Sequence, residues 1–338
     1  MPEGDTIFRA ARTLHRALSG HVVERFETAL SQLAVVDRRA PITGRSIIDV
    51  SARGKHLLCE LSDDLVLRTH MRMHGSWHLY RPGERWRAPR RDARIVISTA
   101  EWIAIAFNVT DAEFSTRQEL DRRGRVATLG PDLLSEAFDP HEARTRLRDT
   151  PSRHIADAIL RQQSIAGLGN VFKAEVLFLC RVHPFRRVSD LSDETLDCLI
   201  ERGRFLIKLN VDERSMVSGG SAGRITTGRM NPRERLWVYG RANQPCLKCG
   251  SAIASASETD GRRTYWCPTC QPSESGPRKS DQGSVSEPAG TERGLGDPAR
   301  ERVGGAAGAK PPGKLIVAQS RDGIDPSRTK SRYQRRRH

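Results

Sequence analysis

The chain has 338 residues, 29% of them charged, and a formal net charge of +15. That length allows two domains and a tail, and such basicity points to an anionic partner, nucleic acid first among them. No apolar run reaches the length of a membrane span, and Met1-Pro2-Glu3-Gly4-Asp5-Thr6 lacks the basic start and apolar stretch of a secretory signal, so no membrane association and a cytoplasmic location are expected.

Thr6 to Leu18 reads as an amphipathic helix. Ile7, Ala10, Ala11, Leu14 and Leu18 share one face, Asp5 is the expected N-cap, and Gly20 is the stop. From Val22 to about Val109 the pattern changes to short β-type runs, among them Ser46–Val50, His56–Leu61, Leu65–Thr69, Trp77–Tyr80, Arg94–Ser98 and Trp102–Phe107. Ser62-Asp63-Asp64 supplies a turn. Strands at this spacing suggest a sandwich or barrel. After Gly130-Pro131 the chain turns helical, with helical periodicity over Pro140–Leu147, Ile155–Gln162, Val171–Leu179 and Thr195–Asn210.

From Leu236 to Gln271 there is a compact cysteine module. Beyond Gln271 the chain is rich in Gly, Pro, Ser and Arg, and disorder is expected because so little apolar area cannot offset chain entropy. That tail has 14 Lys/Arg against 8 Asp/Glu, so +6 of the charge lies there and +9 stays on the part that should fold. The expected architecture is α+β and multidomain: residues 1–130 a β-sandwich with an N-terminal helix, 131–235 helical, 236–271 the cysteine module, and 272–338 a disordered basic tail.

Of seven cysteines, four form two C-x-x-C knuckles, Cys246/Cys249 and Cys267/Cys270, separated by 17 residues. This is the spacing of a structural zinc site with four thiolates and no open coordination position. A redox dithiol is the weaker alternative. Thr259-Asp260-Gly261 suits the hairpin tip between the knuckles. Cys59, Cys180 and Cys198 stand singly in apolar surroundings and read as small buried hydrophobes in a reduced compartment. Arg262, Arg263, Tyr265 and Trp266 on the hairpin suit a DNA backbone or groove, or else are solvated arginines beside core aromatics; Trp266 reads as core.

Gly167-Leu168-Gly169-Asn170 lies between two helical segments. Two glycines allow positive φ, and free N–H groups at the start of the next helix would suit a phosphate, with Asn170 as a further donor. A tight helix–helix connection would look the same. Lys55, after Arg53-Gly54 in a turn between strands, would clamp a phosphate or move a proton if it projects into a cleft; in isolation a surface lysine is the better reading. Met1 precedes a small residue, so its removal is expected to leave Pro2 with a free secondary amine, titrating near pH ~8 as α-amines do. Such an amine can attack an aldehyde-like carbon to give an iminium, with Glu3 as a proton donor beside it.

Together Pro2-Glu3-Gly4, Arg53-Gly54-Lys55, Gln163 to Asn170, and Gly261 to Gln271 resemble the Fpg/Nei family of DNA glycosylase/AP lyases, over Pro2 to Gln271. The resemblance implies a β-sandwich, a helix–two-turn–helix domain and one structural zinc, with double-stranded DNA bound between the domains and the protein acting as a monomer. It implies that Pro2 forms a Schiff base, Glu3 donates the proton for base release, and Lys55 serves β-elimination and phosphate binding. It further implies that Asn170, with Gly167 and Gly169, contacts phosphate, that Arg262 serves δ-elimination, and that Met73 fills the void left by the extruded nucleotide. Arg72 stands where relatives have glycine or glutamine, which leaves its contact open. The start Pro2-Glu3-Gly4-Asp5-Thr6 resembles the endonuclease VIII branch and favours oxidised pyrimidines. The alternatives are preference for 8-oxoguanine or formamidopyrimidine and, in another class, a catalytically silent protein that binds damaged DNA.

Overall fold

The computed structural model describes residues 2–122, 124–151, 153–211, 223–258 and 261–273. The tail expected to be disordered lies outside them, as do Thr259 and Asp260 of the expected hairpin tip.

Helix α1 (Gly4–Leu18) buries Ile7, Ala11, Leu14 and Leu18 on one face, as the periodicity requires. Asp5 is not its cap. Glu3 holds that position, and Asp5 lies buried inside the first turn. The α1 stripe packs against β2 (Ile47–Arg53) and β3 (His56–Leu61). These join β4 (Leu65–His70) and β8 (Asp111–Thr116) in an antiparallel sheet of order β2-β3-β4-β8. A second antiparallel sheet runs β1-β6-β7-β5, from β1 (Arg25–Thr28), β6 (Ala93–Ser98), β7 (Ile103–Phe107) and β5 (Ser76–Tyr80). One core joins the sheets: Val50, Cys59 and Leu67 from the first, Ile95, Ile97, Ala104 and Ala106 from the second. That is a β-sandwich.

Helix α2 (Ser31–Arg39) interrupts a stretch expected to be all strand, burying only Leu33. After the short α3 (Arg117–Arg122), helices α4 (Pro140–Arg148), α5 (Ile155–Leu160), α6 (Asn170–Leu179) and α7 (Asp193–Leu209) enclose a second core with Phe172, Val176, Leu196, Leu199 and Ile207. A third, small core unites α6 with the cysteine module through Ala174, Phe178, Val238, Ile253 and Cys267. The module's hairpin is β9 (Ala254–Ser257) paired with β10 (Arg263–Trp266). Trp266 packs edge-on against Phe185 and His183, with centroids 5.4 and 5.6 Å away.

Cysteine usage differs from expectation at two positions. Cys59 is buried in the sandwich, where burial pushes its thiol up to about 12. Cys180 and Cys198, expected as single hydrophobes, are joined in a disulfide between the end of α6 and the middle of α7. Their Cα atoms lie 6.2 Å apart because the two helices pack side by side, a proximity that neighbouring residues along the chain do not reveal.

Candidate active site

Glu3 is the hinge of the site. It is fully buried, and its carboxylate accepts backbone N–H groups from Gly169 (3.0 Å), Val171 (2.8 Å) and Phe172 (3.4 Å). These are donors of the first turn of α6 that the helix itself cannot use, and a carboxylate there also meets the positive end of the helix dipole. Gly4 N–H donates to Gly167 O at 2.9 Å, closing the junction. This corrects the reading of the glycine turn. The Gly169 N–H and the Val171 and Phe172 N–H groups that follow it are not free for a phosphate, because an acid from the start of the chain already accepts from them. Gly167 has φ +107°, but Gly169 is extended at φ −128°. Glycine is needed at 169 for closeness: a Cβ there would sit 2.4 Å from Glu3 Cδ.

Lys55 projects from the two-residue turn between β2 and β3, where Arg53 pairs with His56. Gly54 holds φ +60°, and its N–H donates to Asp132 Oδ2 at 2.6 Å. Asp132 also accepts from Leu134 N–H at 3.0 Å and bridges to Ala166, so it ties the lysine turn to the glycine turn. Burial raises the Asp132 carboxyl, against the pull of those two N–H groups. Burial also brings the Lys55 ammonium down to about 8; the Glu3 charge opposes this, and Arg262 and Arg224 add to it. Glu3, Lys55, Arg224 and Arg262 therefore share one electrostatic neighbourhood, with Pro2 joined to it by its peptide bond to Glu3.

Arg224 was not singled out by any motif. It grips buried Asp5 with two nitrogens (2.9 and 2.7 Å) and lies over the Phe172 ring. That ion pair fastens the first turn of α1 to the segment after α7. Tyr239 is a second addition. Burial and the Glu3 charge raise its phenol.

Helix α6 organises the other side. Asn170 Nδ2 donates to Arg263 O at 3.0 Å. Lys173 is fully buried and donates to Glu258 Oε1 (2.8 Å) and Thr264 Oγ1 (2.6 Å). Burial lowers its pKa, opposed by Glu258. Glu175, also fully buried, accepts from the N–H groups of Trp237 (2.7 Å), Val238 and Tyr239 (2.9 Å each) and from the Thr226 hydroxyl. Burial raises its carboxyl, and these donors pull the other way. Arg262 and Arg263 are exposed on the hairpin.

Arg72 and Met73 lie in the turn after β4, and both are 57% exposed. Arg72 adopts φ +49°, and its guanidinium reaches Asp111 Oδ2 at 2.8 Å. Asp111 also holds Arg68 (2.7 Å) and Arg125 (2.6 Å), and those hydrogen bonds and charges hold its carboxyl down at about 2, against the opposing effect of burial. Buried His56 and half-buried His70 lie nearby, their ring centroids 5.0 Å apart and their planes tilted by 55°, and burial depresses both, to about 3 and about 4.

The sulfur atoms of Cys246, Cys249, Cys267 and Cys270 lie within 4.8 Å of one another. Four thiolates so close would repel without a cation, and an all-sulfur tetrad suits zinc. Nothing in this set leaves a coordination position open to a substrate.

The sequence matches three family profiles: the "Formamidopyrimidine-DNA glycosylase N-terminal domain" over residues 1–114, the "Formamidopyrimidine-DNA glycosylase H2TH domain" over 129–218, and the "Zinc finger found in FPG and IleRS" over 243–272. It is 40% identical over 275 residues to "Probable endonuclease 8 2" of Streptomyces coelicolor, covering 80% of this chain and 94% of that one. It is 37% identical over 273 residues to "DNA-(apurinic or apyrimidinic site) lyase Nei2" of Mycolicibacterium smegmatis, covering 80% and 99%. The fold is similar to Lactococcus lactis Fpg in complex with abasic-site DNA, with TM-score 0.65 at 27% identity, over 80% of this chain and all of that one. With a sandwich, a helical domain and a four-cysteine finger arranged about a buried Glu3, the chain belongs to the Fpg/Nei family of DNA glycosylase/AP lyases of base excision repair.

Proposed function

We propose that the protein removes oxidised bases from duplex DNA, pyrimidines before purines, through a Schiff base on Pro2, and then cuts the strand by β,δ-elimination. The observation that carries this is the position of Glu3. Its carboxylate fixes the start of the chain against α6, beside a lysine whose pKa lies near 8. An acid, an amine and a lysine able to exchange a proton near neutral pH are the groups such a reaction needs.

In the proposed sequence the target nucleotide leaves the stack, and Met73 enters the space it vacates. Glu3 supplies the proton to the sugar or the departing base as the free Pro2 amine, exposed by removal of Met1, attacks C1′. The glycosidic C1′–N bond breaks and the base leaves; the C1′–O4′ bond then breaks, O4′ taking up a proton, and the opened sugar is held to the Pro2 nitrogen as an iminium. Loss of a C2′ proton, with Lys55 as its acceptor in the neutral form, expels the 3′ phosphate. A second elimination, assisted by Arg262, expels the 5′ phosphate, and hydrolysis of the remaining imine returns free Pro2. Asn170 and, through the backbone they shape, Gly167 and Gly169 orient the phosphates. One zinc ion on Cys246, Cys249, Cys267 and Cys270 holds the finger and takes part in no step.

The support for the pyrimidine preference is the likeness to relatives named endonuclease 8. The test is borohydride trapping on duplexes carrying 5-hydroxyuracil, 8-oxoguanine or an abasic site, read by intact mass. An adduct on Pro2 with 5-hydroxyuracil is expected. An adduct chiefly with 8-oxoguanine would reverse the preference and keep the mechanism. No adduct from zinc-loaded protein beginning at Pro2 would leave a silent DNA-binding protein.

A further inference from the structure

Helix α6 carries a charge whose burial has no simple stabilising explanation. In Asn170-Val171-Phe172-Lys173-Ala174-Glu175-Val176-Leu177-Phe178 every residue is buried, including the lysine. A buried ion pair gains little over apolar side chains of similar volume, because both charges lose their hydration. What such a pair supplies is geometry. Lys173 Nζ reaches two points on opposite sides of the finger hairpin, Glu258 Oε1 at 2.8 Å and Thr264 Oγ1 at 2.6 Å. Thr264 also donates to the Glu258 carboxylate, which closes the triad. Glu258 N–H donates to Arg262 O at 2.7 Å, and Asn170, one turn earlier on α6, holds Arg263 O. The two residues at the root of the hairpin tip are thus tied to the helix whose first turn Glu3 caps. Arg262 is close enough to be felt by both Lys55 and Lys173.

We infer that Lys173 is a positioning residue for Arg262: by gripping Glu258 and Thr264 from within α6, it sets where the Arg262 guanidinium lies relative to the Glu3–Lys55 cluster. The inference rests on the proposed role of Arg262 in the second elimination. Because Lys173 is sealed away from solvent, it acts through the hairpin and not on the substrate. Its loss should therefore change how the reaction ends more than how it begins. The first elimination depends on Pro2 and Lys55, which Lys173 does not touch.

The experiment uses the full, zinc-loaded chain on an abasic-site duplex, with the β and δ products resolved by their different 3′ ends. Lys173→Met should lower the δ:β ratio at least about tenfold, since small misplacements of a catalytic group are costly. Pro2 trapping and the β-elimination rate should stay within about twofold on the same reasoning. Thr264→Val removes one of the two anchors without leaving a buried charge, and a smaller shift in the same direction is expected from it; it serves if Lys173→Met loses its zinc or fails to fold. Lys173→Arg, which keeps the charge, should restore part of the ratio. Unchanged δ:β ratios in folded, zinc-loaded variants would overturn the inference while leaving the proposed function in place. A wild-type protein that stops at the β product would overturn the Arg262 role and this inference with it.

Discussion

Burial lowers the pKa of both Lys55 and Lys173, yet their surroundings differ. Lys173 has a carboxylate and a hydroxyl within hydrogen-bonding distance. Lys55 makes no hydrogen bond among the described residues and faces two arginines as well as Glu3. A buried charge with partners in place holds structure, whereas one left poorly compensated is strain that the rest of the fold must offset. Such strain is what a proton-transferring group requires, because a pKa near 8 makes both protonation states accessible. The same residue type thus reads as anchor or reagent according to what lies within hydrogen-bonding distance.

The comparison breaks most completely with loss of zinc. Structural zinc sites contribute about 10–16 kcal/mol of apparent binding free energy. Chelation should release the hairpin, remove the partners of Lys173 and weaken duplex binding more than about tenfold, while the sandwich still melts cooperatively and keeps the Lys55 turn. Calorimetry and DNA titration before and after chelation would show this. A finger that stayed folded would mean that zinc is not its staple.

Substitution at each lysine should give opposite signs. Lys173→Ala leaves the Glu258 carboxylate largely buried without its cation and should cost about 3 kcal/mol in urea denaturation. Lys55→Met should stabilise the protein by about 1 kcal/mol at pH 7, less than the full pKa shift because the side chain keeps some solvent contact, while strand cleavage falls sharply. Destabilisation by Lys55→Met would show that its ammonium is well compensated after all.

The gain from Lys55→Met should also depend on pH. Lys55 titrates near 8 when folded and near its ordinary 10.5 when unfolded, so the unfolded chain holds more proton between those values. The penalty for burying the ammonium is fully present below pH 8 and fades as pH rises toward 10.5. The stability difference between wild type and Lys55→Met should therefore shrink from pH 7.5 to pH 9.5, to about half its neutral value. A constant difference would place the Lys55 pKa elsewhere. The smallest effect is expected at the rim of the same turn. Arg53 pairs with Asp121 at 2.8 Å, both half exposed, and Arg53→Ala should cost under about 0.5 kcal/mol.

Much of the fold was readable along the chain wherever structure and signal were local. Strand β3 spans His56–Leu61 as expected, because an apolar run is bounded by a glycine turn on one side and an aspartate turn on the other. Asp63 and Asp64 both take positive φ in that second turn. Strand β1 and helix α2 gave no such signal: one is a four-residue edge strand, and the other buries a single side chain. The motif residues Glu3 and Lys55 come together, but the groups that hold them do not announce themselves. Asp132 meets Gly54 across 78 positions, and Arg224 meets Asp5 across 219. Lys173 and Glu175 did carry a local sign, two charges inside an otherwise apolar helix, which is the mark of buried and partnered groups. The Cys180–Cys198 pairing required the relative placement of α6 and α7, which no periodicity supplies.

The double engagement of Glu3 bears on how members of this lineage can diverge. A carboxylate that caps α6 cannot be exchanged without loosening the junction, and Gly169 cannot acquire a side chain while Glu3 is there. The two positions form a lock that neither can leave alone. A descendant that abandoned base removal would still be held to the acid and the glycine by the needs of folding, whereas Lys55, relieved of its duty, would be free to drift and would gain stability by doing so. Retention of Glu3 in a distant relative is therefore weak testimony to surviving activity, and the residue at position 55 is the more informative witness.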